Sequence, residues 1–163
     1  MLKDKICVVT GGTRGIGKAI VEEFLNEGAT VIFFGSREET VAKALEEYKK
    51  KYDKVEGAWP NLMDGESIKA EIERIVKKYG RIDVLANNAG VADDVSVYDY
   101  DAEKFDKIMN LNVKGVFNAI VATIPHMKEQ GGGSIISTSS MVSKYGQTRG
   151  VGYPTSKFAV NGL

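Results

Sequence analysis

The chain has 163 residues, enough for one domain with a sizeable buried core. Its 22 Lys and Arg balance 22 Asp and Glu, which excludes a large field drawing it to nucleic acid or to an anionic membrane. A single cysteine, Cys7, excludes an internal disulfide and fits a reducing compartment.

In chain order, Met1-Leu2-Lys3-Asp4-Lys5 places charges where a secretion signal needs its apolar stretch. No uncharged apolar run approaches the ~18 residues of a membrane span, so a soluble, cytoplasmic protein is expected. The first apolar run, Ile6 to Val9, is unbroken, which predicts a strand covered on both faces with Cys7 as an inert core thiol. It leads through Thr10 to Gly17 into helical spacing marked by Ile16, Ile20 and Phe24. Val31 to Phe34 predicts a second strand, followed by a helix carrying Val41, Leu45, Tyr48 and Tyr52. Val55 to Trp59 is a weaker third strand, with Trp59 expected in the core; Ile68, Ile72, Ile75 and Tyr79 mark the next helix. Ile82 to Leu85 predicts a fourth strand. A short helix over 103–109 then precedes a long one carrying Val113, Val116, Ile120, Ile124 and Met127, with Pro125 expected to kink it and His126 at the surface. Ser134 to Thr138 predicts the fifth strand. Gly28, Gly80 and Gly131 to Gly133 stand just past helical segments, where left-handed caps are wanted.

This alternation predicts right-handed crossovers and an α/β fold: a Rossmann-like doubly wound parallel sheet with helices on both faces. No repeat, low-complexity tract or linker interrupts it, so residues 1–163 read as one dinucleotide-binding domain.

Gly11, Gly15 and Gly17 lie where a strand passes into a helix. Their mechanical reasons are a tight turn, close backbone approach to a pyrophosphate, and close helix–strand packing; the helix N-terminus adds free N–H groups and positive dipole. The spacing, three residues then one, departs from the generic one-then-two fingerprint, which leaves a plain strand–helix turn open. The second strand ends Phe33-Phe34-Gly35-Ser36-Arg37, with no carboxylate before Glu38. A hydroxyl followed by a guanidinium suits a ribose 2′-phosphate, and Arg14 adds a second positive charge. NADP(H) is therefore favoured over NAD(H). The alternative is that Arg37 is a solvated helix-start residue beside Glu38 and Glu39.

Tyr153-Pro154-Thr155-Ser156-Lys157 places a phenol and an ammonium one helical turn apart, thirteen residues after Ser140. With the glycine turn, the pair points to dinucleotide-dependent redox chemistry at a carbonyl or alcohol. A phenol ordinarily holds its proton to about pH 10, so exchange near neutrality needs a cation beside it. At ~4 Å that cation contributes ~1 kcal/mol in bulk water but ~4 kcal/mol at an effective dielectric near 20, so water must be largely excluded. Taken alone, the two side chains read as a surface pair on a helix; the context of the other motifs reverses that.

These residues together resemble the short-chain dehydrogenase/reductase family. Thr10-Gly11-x-x-x-Gly15-Ile16-Gly17 is similar to its glycine motif, and Asn87-Asn88-Ala89-Gly90 follows the fourth strand as the family's structural motif does. Asn112, Ser140, Tyr153 and Lys157 fall in the order and spacing of its catalytic tetrad. The resemblance implies that Tyr153 exchanges a proton with the substrate oxygen and that Ser140 hydrogen-bonds it. It implies that Lys157 acidifies the phenol and holds the nicotinamide ribose, and that Asn112 holds a water linking Lys157 to solvent. The implied cofactor site comprises Gly11, Thr13, Arg14, Gly15, Ile16, Gly17, Ser36, Arg37, Asn61 and Leu62 beside the adenine, Asn88 near the ribose, and Tyr153 and Lys157. Many members carry Asp where this chain has Asn61; an amide still accepts from the adenine amino group. Ser137, Ser139 and Ser143 compete with Ser140 by position, and Asn110 with Asn112. His126 has no cysteine or second histidine to complete a metal site.

Gly150-Val151-Gly152-Tyr153-Pro154, the Thr10–Gly15 turn and the Phe34-Gly35 strand end resemble bacterial hydroxysteroid dehydrogenases acting on bile acids. The 3-oxoacyl-carrier-protein reductases share nearly all these motifs. The resemblance covers the earlier part of the family's fold, so the sheet is expected to be incomplete after the fifth strand. The chain as written is then expected to be marginally stable and essentially inactive, whereas full-length relatives form homo-oligomers. Three readings stand: an oxidoreductase moving a hydride between NADP(H) and a hydroxysteroid or 3-oxoacyl substrate, a non-catalytic dinucleotide-binding module, and an inactive piece of such an enzyme.

Overall fold

In the computed structural model, which describes residues 1–163, five short runs form a single parallel sheet. They are β1 (Ile6–Thr10), β2 (Thr30–Phe34), β3 (Val55–Ala58), β4 (Val84–Asn87) and β5 (Ser134–Ser137). The intervening helices are α1 (Gly15–Asn26), α2 (Glu38–Lys49), α3 (Gly65–Tyr79), α4 (Ala102–Met109), α5 (Gly115–Glu129), α6 (Val142–Tyr145) and α7 (Gly152–Asn161). Strand order is β3-β2-β1-β4-β5, with Val9 opposite Phe33 on one side and Ala86 on the other. The chain therefore builds outward from β1 in one direction, then restarts at β4 in the other. That reversal opens a crevice at the carboxyl ends of β1 and β4, where doubly wound sheets bind ligands.

Alternation along the strands splits the core into two layers. Cys7, Val9, Val31 and Phe33 face Val21 and Leu25 of α1 and Val41 and Tyr48 of α2. Val8, Ile32, Phe34 and Leu85 face Ile68, Ile72 and Ile75 of α3 and Ala119 and Met127 of α5. Each fully buried side chain of this kind contributes about 1.5–3 kcal/mol. Burial pushes the Cys7 thiol up to about 12, with Asp83 adding to the rise, so it is an inert core group. Gly28, Gly80 and Gly131 adopt φ of 88°, 78° and 89° at the expected helix stops.

Several boundaries differ from the sequence reading, each for a local reason. β4 starts at Val84 rather than Ile82, because the backbone of Ile82 pairs with a side chain instead: its N–H donates to Gln130 Oε1 at 3.1 Å and its carbonyl accepts from Gln130 Nε2 at 2.7 Å. β3 stops at Ala58; the following Trp59 precedes Pro60, which has no amide for a ladder, and the indole is 48% exposed rather than in the core. β5 forms a sheet edge and is not covered on both faces, with Ile136 56% exposed. The two helices expected over 103–127 are one continuous rod: α4 passes through a π turn (Asn110–Lys114), closed by Gly115 N–H donating to Asn110 O, into α5, which runs on through Pro125. On α5, Ile124 faces solvent with Phe117 and Val121 instead of joining the core. No helix is long and apolar enough to cross a membrane.

Candidate functional site

Thr10 ends β1 and ties it to the end of β4: its Oγ1 accepts from Asn88 N–H at 3.1 Å and from Ala89 N–H at 3.0 Å. The Asn88 amide lies over the glycine turn, Nδ2 donating to the carbonyls of Thr10 and Gly11 at 3.4 Å each. Gly17 is where α1 passes beneath this turn. A Cβ there would sit 2.0 Å from Gly11 O, so a side chain at this position requires the backbone of the turn or of α1 to shift. Tyr48 braces the turn from below, its hydroxyl donating to Gly12 O at 2.5 Å; burial, with Glu22 and Glu47, raises its pKa and keeps that proton in place.

Arg14 caps α1 without a side-chain hydrogen bond, and no acidic residue occupies the first turn, so the helix N-terminus presents uncapped N–H groups. A Cβ on Gly15 would meet nothing within 4 Å, so the space in front of that turn is open. Uncapped donors at the positive end of a helix, beside an open glycine concavity, fit a pyrophosphate.

This concavity belongs to a groove of about 840 Å³ along the carboxyl edge of the sheet. Gly11, Thr13, Arg14, Gly15, Ile16 and Gly17 line one end, Ser36, Asn61 and Leu62 another flank, and Asn88 the floor. Arg37 lies outside the lining; it caps α2, its carbonyl accepting from Thr40 Oγ1 at 2.8 Å. Asn61 Oδ1 is engaged within its own turn by Met63 N–H at 3.1 Å. Trp59, Pro60, Gly90, Val91 and Leu111 also line the groove and were not singled out from sequence as site residues. A positional signal existed for each: Trp59 and Pro60 directly follow the carboxyl end of β3, Gly90 and Val91 follow Asn88, and Leu111 precedes Asn112. No carboxylate lines the groove, and Arg14 is its one cation.

At the other end, the π turn carries Asn112 inward with 0% exposure, while Asn110 stays exposed. Asn112 Nδ2 donates to Val91 O at 2.8 Å and to Ser156 Oγ at 3.0 Å, and Oδ1 accepts from Val91 N–H at 2.9 Å. One side chain thereby joins the loop after β4 to α7. Lys157 of α7 is 5% exposed; its Nζ donates to Thr138 O at 2.7 Å and lies 5.8 Å from the centre of the Tyr153 ring. The same Nζ is 3.7 Å from where a Cβ on Gly90 would be, which sets it beside a residue that lines the groove; Asn112, Ser140, Tyr153 and Lys157 are not themselves among the lining residues. Desolvation lowers the lysine pKa from its ordinary value.

Of the four candidate serines, Ser139 and Ser143 are occupied, while Ser137 and Ser140 each have one long contact. Ser139 Oγ lies within bonding distance of Lys157 O, Ser143 Oγ and Asn161 Oδ1, at 3.1, 3.1 and 2.6 Å. Ser143 Oγ donates to Ser140 O at 2.5 Å, and Ser137 Oγ accepts from Asn87 Nδ2 at 3.4 Å. Ser140 Oγ has only a long contact from Val142 N–H at 3.4 Å, which leaves its hydroxyl free to bond elsewhere.

A sequence model of the family described as short chain dehydrogenase matches residues 5–163. The chain is 53% identical over 165 residues to a 3alpha-hydroxysteroid dehydrogenase of Mediterraneibacter gnavus, covering 100% of this chain and 66% of that protein. It is 40% identical over 162 residues to a 3-oxoacyl-acyl-carrier-protein reductase of Thermotoga maritima, covering 99% and 66% respectively. The chain thus spans 66% of the length of both relatives. Among solved structures, a short chain dehydrogenase from Mycobacterium smegmatis superposes with a TM-score of 0.94 at 28% identity, covering 99% of this chain and 69% of that one.

Proposed function

The chain belongs to the short-chain dehydrogenase family, and on that premise we propose that it is built to move a hydride between NADP(H) and a ketone or secondary alcohol on an apolar small molecule in the cytoplasm. The observation that carries this reading is the nearly buried ammonium of Lys157, held by a single carbonyl one helical turn from Tyr153 and packed beside Gly90, which lines the glycine groove. A surface pair would keep its lysine in water. Here desolvation opposes the charge, and that expense is understandable where the charge is used on a neighbouring phenol.

When bound, the nicotinamide supplies or takes up the hydride. The chain's own residues do the rest. Gly11, Gly15, Gly17 and the uncapped start of α1 would hold the pyrophosphate, Thr13, Ile16 and Asn88 would support it, and Asn61 and Leu62 would serve the adenine. Ser140 offers its free hydroxyl to the substrate oxygen, and Tyr153 gives that oxygen its proton or removes it in the opposite direction. Lys157 favours the phenolate. Asn112 ties Val91 to Ser156, the residue next to Lys157, and would hold the water through which the proton is replenished.

NADP(H) is preferred in this reading because Arg14 and Ser36 face a groove without a carboxylate, and a 2′-phosphate is matched by donors, not acceptors. A hydroxysteroid is the favoured substrate. The 53% likeness exceeds the 40% likeness to the acyl reductase, and the apolar side chains of Met141, Tyr145 and Val151, all exposed, flank Ser140 and Tyr153 in the chain. A 3-oxoacyl thioester is the second reading, favoured by the acyl-reductase likeness itself. Self-association belongs to the proposal too, supported by the exposed apolar face Phe117, Val121 and Ile124 of α5.

Turnover of a 3-ketosteroid and of a 3-oxoacyl thioester, each with NADPH and NADH, tests the assignment. Tyr153→Phe is expected to reduce kcat about a thousandfold. Dinucleotide binding without turnover of either substrate would make the chain a binding module instead.

A further inference from the structure

A loop outside the groove closes over the start of the helix that carries Tyr153. Tyr100, just after the 3-10 turn Val97–Asp99, inserts its phenol between two elements. Its O–H donates to Asp93 Oδ2 at 2.9 Å and its oxygen accepts from Gly152 N–H at 3.2 Å. Gly152 is the first residue of α7 and Tyr153 the second. No local side chain caps this helix, so Tyr100 acts as its cap from 52 residues away. Burial, reinforced by the hydrogen bond and charge of Asp93, raises the Tyr100 pKa, so the phenol keeps the proton it donates.

The contact also accounts for Gly150-Val151-Gly152. A Cβ on Gly150, whose φ is 67°, would lie 2.1 Å from Asp93 O, and one on Gly152 would lie 2.2 Å from Tyr100 Oη. Neither position admits a side chain while the loop is closed. Gly150 N–H donates to Val95 O at 2.8 Å and Arg149 Nε to Asp94 O at 2.7 Å, sealing the same seam. Asp93 Oδ1 is buried without a partner, an unfavourable placement for a carboxylate that serves only packing. Placed near the positive end of α7, the carboxylate favours the helix start.

We propose that Tyr100 and Asp93 are positioning residues for Tyr153, anchoring the first turn of α7 and so setting where the phenol meets the substrate oxygen. The proposal rests on the reading of Tyr153 as proton donor. A displacement of the phenol by a fraction of its bond to substrate is enough to slow proton transfer, whereas the dinucleotide groove touches neither Tyr100 nor Gly152.

Tyr100→Phe removes one oxygen and keeps the ring. It is expected to lower kcat about tenfold, with the dinucleotide KM changed less than about twofold. Asp93→Asn retains an oxygen to accept from the phenol and is expected to be faster than Asp93→Ala, while Tyr100→Phe combined with Asp93→Ala is no slower than Tyr100→Phe alone. A kcat for Tyr100→Phe within about twofold of the parent, or equal rates for the two Asp93 variants, would overturn the proposal. Amide hydrogen exchange gives a readout free of turnover: Gly152 is expected to exchange about tenfold faster in Tyr100→Phe and unchanged in Tyr153→Phe. Unchanged Gly152 exchange in Tyr100→Phe sinks the anchor whatever Tyr153 does. Turnover surviving Tyr153→Phe sinks the proton-donor reading, and the positioning role with it, while the exchange result still reports on the contact.

Discussion

Lys157 shows what a sequence displays and what it conceals at the scale of one residue. The Tyr153–Lys157 spacing was readable, but two such residues also make an ordinary surface pair. What separates the cases is Thr138 O, 2.7 Å from Nζ, and 5% exposure; both come from the packing of α7 over the end of β5. Ser140 is similar. Spacing nominated it, and the hydrogen bonds occupying Ser139 and Ser143 set those two aside; against Ser137, whose one contact is as long as that of Ser140, spacing alone decides. The buried ammonium has a thermodynamic consequence. Its folded pKa lies below the ordinary ~10.4, so the unfolded chain binds more protons in the window beneath that value and stability rises with pH through it. Lys157→Met is therefore expected to match or exceed the parent by up to about 2 kcal/mol at pH 7. The two should converge as pH approaches ~10.4. Urea midpoints across that range check this, and a variant less stable at pH 7 would show the Thr138 bond outweighing the burial of charge.

At the scale of elements, unbroken apolar runs located β1, β2 and β4, because strands buried on both faces leave a strong signal, whereas β3 and β5, less buried, left a weaker or polar-flanked one. Their ends were harder. β4 slid by two residues because Gln130, 48 positions away, occupies the backbone of Ile82, and no local pattern carries that information. Trp59 misled because its size argues for burial while Pro60 argues for the end of a ladder, and the proline prevailed. The glycine turn was legible as a turn, yet the reason for each glycine differs. Gly15 faces open space, whereas Gly17 is pressed against Gly11 O. Gly17→Ala is accordingly expected to displace α1 or the turn and to weaken dinucleotide binding by at least about tenfold, read by isothermal titration with NADPH. Gly15→Ala has room for its methyl group, and the left-handed φ of 56° becomes the strained feature, so its loss should be smaller.

For the whole molecule, alternation made a doubly wound parallel sheet legible, while the strand order β3-β2-β1-β4-β5 is read from the structure. The clasp at the opposite end of the sheet was not legible. Asp83 accepts from Ile6 N–H at 2.9 Å, from Lys5 Nζ at 3.1 Å and from Arg81 through both Nε and Nη2, joining β1 to the approach to β4. Burial alone would raise this carboxyl; the Arg81 guanidinium, then the Ile6 amide and Lys5, hold it below the usual carboxylate range. A depressed folded value gives stability that is present above the unfolded value of about 3.9 and lost as pH falls through the folded one. Asp83→Asn should thus lose about 2 kcal/mol at pH 7, with the difference closing in strong acid. Denaturant midpoints at pH 7 and pH 2 measure both, and an equal deficit at the two values would mean the clasp works by shape alone.

The π turn has a further consequence for how this protein can change over generations. Each residue advances an α-helix by about 100°, so the additional residue closed between Asn110 and Gly115 sets the angular offset between Ile108 and the inward row Val116, Ala119, Thr123 and Met127. Losing one codon from Asn110–Lys114 would straighten the rod and rotate that row out of contact with α3 and the sheet, taking Asn112 with it. In-frame shortening here should therefore be far less tolerated than the same loss at the exposed Asp53-Lys54 connection, whatever the identity of the residue removed.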